Sequence, residues 1–130
     1  MGASRSFLEP ERMKLLVIDP ARAFLEAVKN CAADAGCRSV ITAGNAEEGL
    51  RAASAMRPEI VLADHDLRTA EGKSVIHALR PLLPGAVLVC LSLDDEGEMS
   101  RARWRTIADI CVEKPRLAET LPALLEAAAH

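Results

Sequence analysis

Five short apolar runs alternate along this chain with stretches of helical periodicity, and that alternation leaves few folds open. The runs are Lys14 to Ile18, Ser39 to Thr42, Ile60 to Ala63, Val87 to Leu91 and Ala108 to Val112. All have the length of a buried strand rather than of a helix. Between and after them, apolar residues recur at helical spacing in four segments: Ala21 to Ala35 (Phe24, Leu25, Val28, Cys31 and Ala32), Ala46 to Met56 (Leu50 and Ala53), Lys73 to Leu83 (Val75, Ile76 and Leu79) and Leu117 to Ala129. A further helix is expected to open at Asp94 to Gly97 and run to about Arg105. Gly36, Gly44-Asn45, Arg57-Pro58 and Pro84-Gly85 punctuate the pattern as turns. Strict alternation of strand and helix predicts an α/β fold, a doubly wound parallel five-stranded sheet, because right-handed crossovers place helices on both faces.

At 130 residues, half of them hydrophobic, the chain has room for a single core. Residues 1–12 precede the first strand and read as a flexible amino-terminal arm; residues 13–130 read as the domain. A formal net charge of -3 and a pI near 5.6 argue against nucleic-acid binding, since no basic excess exists to displace counterions. No apolar run reaches the length of a membrane span, and residues 1–10 lack the apolar stretch of a signal peptide, so a cytoplasmic protein with no membrane partner is expected. Cys31, Cys37, Cys90 and Cys111 form no CxxC pair and have no His at zinc-finger spacing. They read as reduced, mostly buried small hydrophobes.

The polar residues that follow the strands carry the functional signal. Asp19, Asp64, Ser92 and Lys114 each stand at or just past the carboxyl end of an apolar run. In an open parallel sheet those ends line the crevice where ligands bind. A carboxylate, a hydroxyl and an ammonium meeting there can handle a phosphoryl group. The turn after the first strand, Asp19-Pro20-Ala21-Arg22, has no G-x-G-x-x-G, and no nucleophile elbow occurs, so an enzyme is not expected.

In order and spacing, four landmarks together resemble the receiver domain of two-component response regulators, the CheY-like family, over roughly residues 14 to 129. They are Leu15-Leu16-Val17-Ile18-Asp19; Pro58-Glu59-Ile60-Val61-Leu62-Ala63-Asp64 before a loop ending in Gly72; Ser92; and Lys114-Pro115. The resemblance implies a flavodoxin-like (βα)5 fold with strand order 2-1-3-4-5. By the same resemblance Asp64 accepts a phosphoryl group from a phospho-histidine on a sensor histidine kinase or phosphotransfer protein. Ser92 and Lys114 contact the phosphoryl oxygens, and Mg²⁺ is held by Asp19, Asp64 and the backbone carbonyl of Asp66. The physical logic stands beside the resemblance. A carboxylate is a poor nucleophile, so transfer depends on in-line positioning and on neutralising the equatorial oxygens.

Several positions depart from the family pattern. Where relatives carry two adjacent acids after the first strand, only Asp19 remains and Pro20 takes the second place, which predicts a weakened Mg²⁺ site. Cys111 replaces the aromatic residue three positions before the lysine. Leu67-Arg68 replaces Met-Pro, Leu93 follows Ser92 where a small residue is common, and Ile107 stands where glycine is frequent. Asp66 is expected as a solvated loop acid; without a metal, the neighbouring carboxylates are expected either to raise at least one pKa or to draw Lys114 into a permanent pair with Asp64.

Two signalling readings follow. The first is a stand-alone receiver that takes phosphate on Asp64 and binds a protein partner, or a second copy, through its last strand and flanking helices. Trp104 and Cys111 mark that interface, tryptophan being enriched at binding hot spots. Acids at Asp94 to Glu98 and Arg101, Arg103 and Arg105 fit the two ends of one helix dipole without any partner. The second reading is a phosphorylation-independent pseudo-receiver, a docking or dimerisation module. A small enzyme or ligand-binding domain on the same fold is a third. None of His65, His77 and His130 is expected to be catalytic: strand alternation places the His65 side chain opposite Asp64 if the strand extends that far.

Overall fold

One parallel sheet in the order β2-β1-β3-β4-β5 forms the centre of a computed structural model that describes residues 12–93 and 107–129. Its strands are β1 (Lys14–Ile18), β2 (Ser39–Ala43), β3 (Ile60–Asp64), β4 (Val87–Ser92) and β5 (Ile110–Glu113). Four helices lie among the described residues: α1 (Arg22–Asp34), α2 (Ala46–Met56), α3 (Val75–Leu82) and α4 (Leu117–Ala128). The helix expected to open at Asp94 to Gly97 and run to about Arg105, with Trp104, lies outside the described residues, as do almost all of the expected arm and His130. The architecture is the doubly wound parallel sheet that the alternation predicts, in the expected strand order.

Side-chain alternation along the strands sorts the core into two layers. Leu15, Val17, Ile60, Leu62, Val89, Leu91 and Val112 pack with Val28 and Ala32 of α1 and Leu117, Leu121, Leu124 and Leu125 of α4. On the other face Leu16, Ile18, Val61, Ala63, Leu88 and Cys90 meet Ala46 and Ala53 of α2 and Val75, Ile76 and Leu79 of α3. Strands buried on both faces have no polar side to show, which is why they read as unbroken apolar runs. At about 25 cal/mol per Å² of apolar surface, these two layers are the main favourable term in folding. Gly49 lets α2 approach β1 closely: a Cβ there would lie 2.5 Å from Ile18 Cδ1.

Local signals set the element ends. Asn45 caps α2 by accepting from Glu48 N at 2.8 Å, while the Glu48 side chain accepts from Gly44 N at 2.7 Å, a reciprocal pair close to a capping box. α3 starts at Val75 rather than Lys73 because Ser74 takes the cap position, its hydroxyl accepting from Ile76 N. β5 begins at Ile110 rather than Ala108. The Asp109 side chain accepts from Leu88 N at 2.8 Å and from Arg80 at 2.9 Å, so a carboxylate stands where a strand carbonyl would pair. Cys37 and Cys90 are buried, Cys31 and Cys111 half-buried, and none of the four is in a disulfide. Burial raises the Cys37 thiol above its ordinary range, a backbone hydrogen bond opposing. No helix among the described residues is long and apolar enough to cross a membrane.

Candidate functional site

Three strand ends bring the expected residues to one edge of the sheet. Asp19 follows β1, Asp64 closes β3, and Lys114 opens the single 3₁₀ turn Lys114–Arg116 after β5. Asp19 and Asp64 continue the strand parity of the α1/α4 layer, and Lys114 reaches toward both from the far side of β4. Its Nζ lies 2.7 Å from Asp19 Oδ2 and 3.5 Å from Asp64 Oδ1. The nearer partner is thus Asp19 rather than the Asp64 expected from sequence. The reason is burial: Asp19 is wholly inaccessible, and among the described residues only this ammonium compensates its Oδ2.

Asp19 is fully engaged. Its Oδ1 accepts from Ala21 N at 2.8 Å, closing an Asx turn over Pro20, and its backbone N–H donates to Ala43 O. Lys114 in turn sits under the Phe24 ring of α1, 5.3 Å from the centroid, a cation–π contact on the same ammonium. Burial alone lowers the Lys114 ammonium, but the hydrogen bond to Asp19 and the charge of Asp64 outweigh it, and the group is raised above the ordinary lysine value.

His65 belongs to the site, against the expectation from alternation. β3 ends at Asp64, so strand parity no longer applies to the next residue. The buried ring places Nδ1 3.3 Å from Asp64 Oδ1 and 3.1 Å from Leu91 O, with Nε2 3.4 Å from Asp66 Oδ1. The signal available in the sequence was the strand boundary itself, which periodicity fixes poorly. Phe24 was legible only as an inward helix residue. The Asp66 side chain is 76 % exposed, the solvated loop acid expected. Ser92 ends β4 one residue beyond Leu91, the register partner of Asp64. Its hydroxyl is buried and has no hydrogen-bond partner among the described residues, so Ser92 stands beside the charged cluster rather than within it. Cys111 lies on β5 against the α2/α3 layer.

Receiver domains typically take Mg²⁺ at this edge, and the side chains here fit it poorly. Pro20 offers no ligand, both Asp19 oxygens are engaged by Ala21 N and Lys114, and Asp66 points its carboxylate to solvent. Among the described residues no group of three acidic, His or Cys side chains gathers around a cation position. Mg²⁺ demands near-octahedral oxygen coordination, and an ammonium already occupies the space between the two carboxylates.

Comparison with known proteins bears on the fold and the family. No match was found among curated proteins. A response regulator receiver domain from Clostridium thermocellum superposes with a TM-score of 0.76 at 21% identity, over 90% of this chain and 94% of its own. The chemotaxis protein CheY4 of Vibrio cholerae gives 0.76 at 22% identity, over 89% of this chain and 98% of its own. NtrX from Brucella abortus, crystallised with ADP, gives 0.77 at 25% identity, over 90% of this chain but 26% of that longer protein. At these identities the first two structures establish the fold. The family model described as response regulator receiver domain matches residues 15–126, nearly the whole sheet-and-helix body, and on that match the chain belongs to the response regulator receiver domain family.

Proposed function

We propose that this domain receives a phosphoryl group on Asp64 from a phospho-histidine of a sensor histidine kinase or phosphotransfer protein, and passes the signal on by protein contact. Receiver domains in general are signalling modules of two-component systems rather than enzymes. The observation that carries the reading is the buried Ser92 hydroxyl, without a partner among the described residues, at the end of the strand beside Asp64. An unsatisfied buried hydroxyl costs about 1–3 kcal/mol, which a phosphoryl oxygen would offset by accepting from it. In the transfer an Asp64 carboxylate oxygen attacks phosphorus, an O–P bond forms, and the P–N bond breaks with its electron pair returning to the donor imidazole. Lys114 supplies positive charge toward the equatorial oxygens. Since the side chains here fit a divalent cation poorly, this reading gives Lys114 the larger share of charge neutralisation.

A second reading, a phosphorylation-independent docking or dimerisation module, is favoured by one specific observation: Pro20 stands where relatives carry their second acid. In both readings the partner surface is β5 with its flanking helices. Leu93, 58% exposed just past Ser92, supports that side of the sheet as a contact face. Intact mass after incubation with a small phosphoryl donor separates the two. One added phosphoryl group on wild type and none on Asp64→Ala is the expected result. No addition from the small donor or from a phospho-histidine protein donor would leave the docking module.

A further inference from the structure

We propose that His65 is a positioning residue for Asp64, holding Oδ1 of its carboxylate so that the other oxygen, Oδ2, is the one presented for reaction. This rests on the reading of Asp64 as the phosphoryl acceptor. Two contacts of His65 meet at a single atom: its backbone N–H donates to Leu91 O at 2.9 Å, and its ring Nδ1 lies 3.1 Å from the same oxygen. Both acceptor positions of that carbonyl are thereby used by one residue. The end of β3 is clamped to the end of β4, one residue before Ser92.

The second neighbour of Nδ1 is Asp64 Oδ1 at 3.3 Å. A carbonyl oxygen and a carboxylate oxygen are both acceptors, so a lone pair on Nδ1 would face two lone pairs. The arrangement is favourable only with a proton on Nδ1, directed to Leu91 O with Asp64 Oδ1 beside it. Lys114 Nζ also approaches Oδ1, at 3.5 Å. Oδ1 therefore has two nitrogens within 3.5 Å, whereas Oδ2 has no contact of this kind among the described residues. A nucleophile held within a narrow range of orientation loses less entropy on reaching the reactive geometry, and a carboxylate free to rotate would offer either oxygen at a poorer angle. The burial of the ring holds the clamp in place, since only 9% of the side chain is accessible.

Two measurements on the full chain test this separately from the acceptor reading. Imidazole ¹⁵N spectra, with the His65 resonance identified by its loss in His65→Asn, report which nitrogen carries the proton. A protonated Nδ1 is expected, and an Nδ1 without a proton, with Nε2 protonated instead, overturns the proposal. This arm needs no phosphorylation and stands even if wild type takes no phosphate.

The second arm is the rate of phosphoryl addition from a small donor. His65→Leu should react about tenfold more slowly, the loss of the polar contact that positions Asp64. His65→Asn, whose amide nitrogen stands near the Nδ1 position, should recover to within about threefold of wild type, and His65→Gln, which places its amide near Nε2, should not. Equal rates for wild type and His65→Leu, with both folded, overturn the proposal. If His65→Leu does not fold, the contrast between Asn and Gln decides: equal rates for those two overturn it.

Discussion

Lys114 Nζ lies 2.7 Å from Asp19 Oδ2 and 3.5 Å from Asp64 Oδ1, so one ammonium bridges the ends of β1 and β3 from the end of β5. The three strands are not mutual neighbours, because β4 stands between β3 and β5. β1 and β3 are paired neighbours, so what the bridge adds is a tie from the end of β5 to two strand ends that β5 does not pair with. It also makes the pair asymmetric, with Asp19 wholly buried and Lys114 still partly open to solvent.

That asymmetry sets the cost of breaking it. Lys114→Met leaves the buried Asp19 carboxylate without its compensating charge and should destabilise the fold by about 3 kcal/mol. Asp19→Asn should cost less, since the lysine can still turn to Asp64 or to water. The double variant should be more stable than the sum of the two losses predicts, with a coupling of roughly 2 kcal/mol from urea unfolding. Additive losses would mean that the contact contributes nothing.

The pH dependence of stability follows from the same ion pair. Lys114 is raised above the ordinary lysine value of 10.5, so its contribution is whole below that pH and fades as the pH climbs through the folded-state value. Wild type should lose stability more steeply above pH 10.5 than Lys114→Met does, measured as thermal midpoints across the alkaline range. Near neutral pH neither protein should show a slope from this group. Parallel alkaline curves would contradict the assignment.

Pro20→Asp restores an acid at the sheet edge beside Asp19. Calorimetric titration with Mg²⁺ should show an affinity gain of about tenfold, or ~1.4 kcal/mol. Unchanged affinity would place the obstacle in Lys114 and in the Ala21 hydrogen bond, which keep both Asp19 oxygens engaged.

Gly49 makes a packing prediction independent of the site. In an exposed helix Gly→Ala gains about 1 kcal/mol from propensity. Here the new methyl meets Ile18 at 2.5 Å from Cδ1 and 2.9 Å from Cγ1, inside the core. Overpacking should win, leaving Gly49→Ala about 1 kcal/mol less stable than wild type. Adding Ile18→Val, which removes the Cδ1 methyl, should make the Gly49→Ala change less harmful.

Residue pattern alone determined the layer architecture. Unbroken apolar runs such as Ile60 to Ala63 can only be strands buried on both faces, and the helical segments between them force parallel crossovers. It also located Asp19, Asp64, Ser92 and Lys114 at strand ends, because each stands at or just past the end of an apolar run. Helix and strand limits were legible where a cap is local, as at Asn45. They were misjudged where a distant partner decides, as at Asp109, whose carboxylate pairs with Leu88 on a neighbouring strand.

Only the tertiary structure decided which charges meet. Lys114 pairs more closely with Asp19 than with Asp64 because complete burial gives the Asp19 carboxylate the greater need of a counter-charge, and burial is a property of the packed sheet. The same holds for His65. Its place beside Asp64 depends on where β3 stops and on Leu91 across the strand pair, and alternation along the chain carries information only as long as the strand continues.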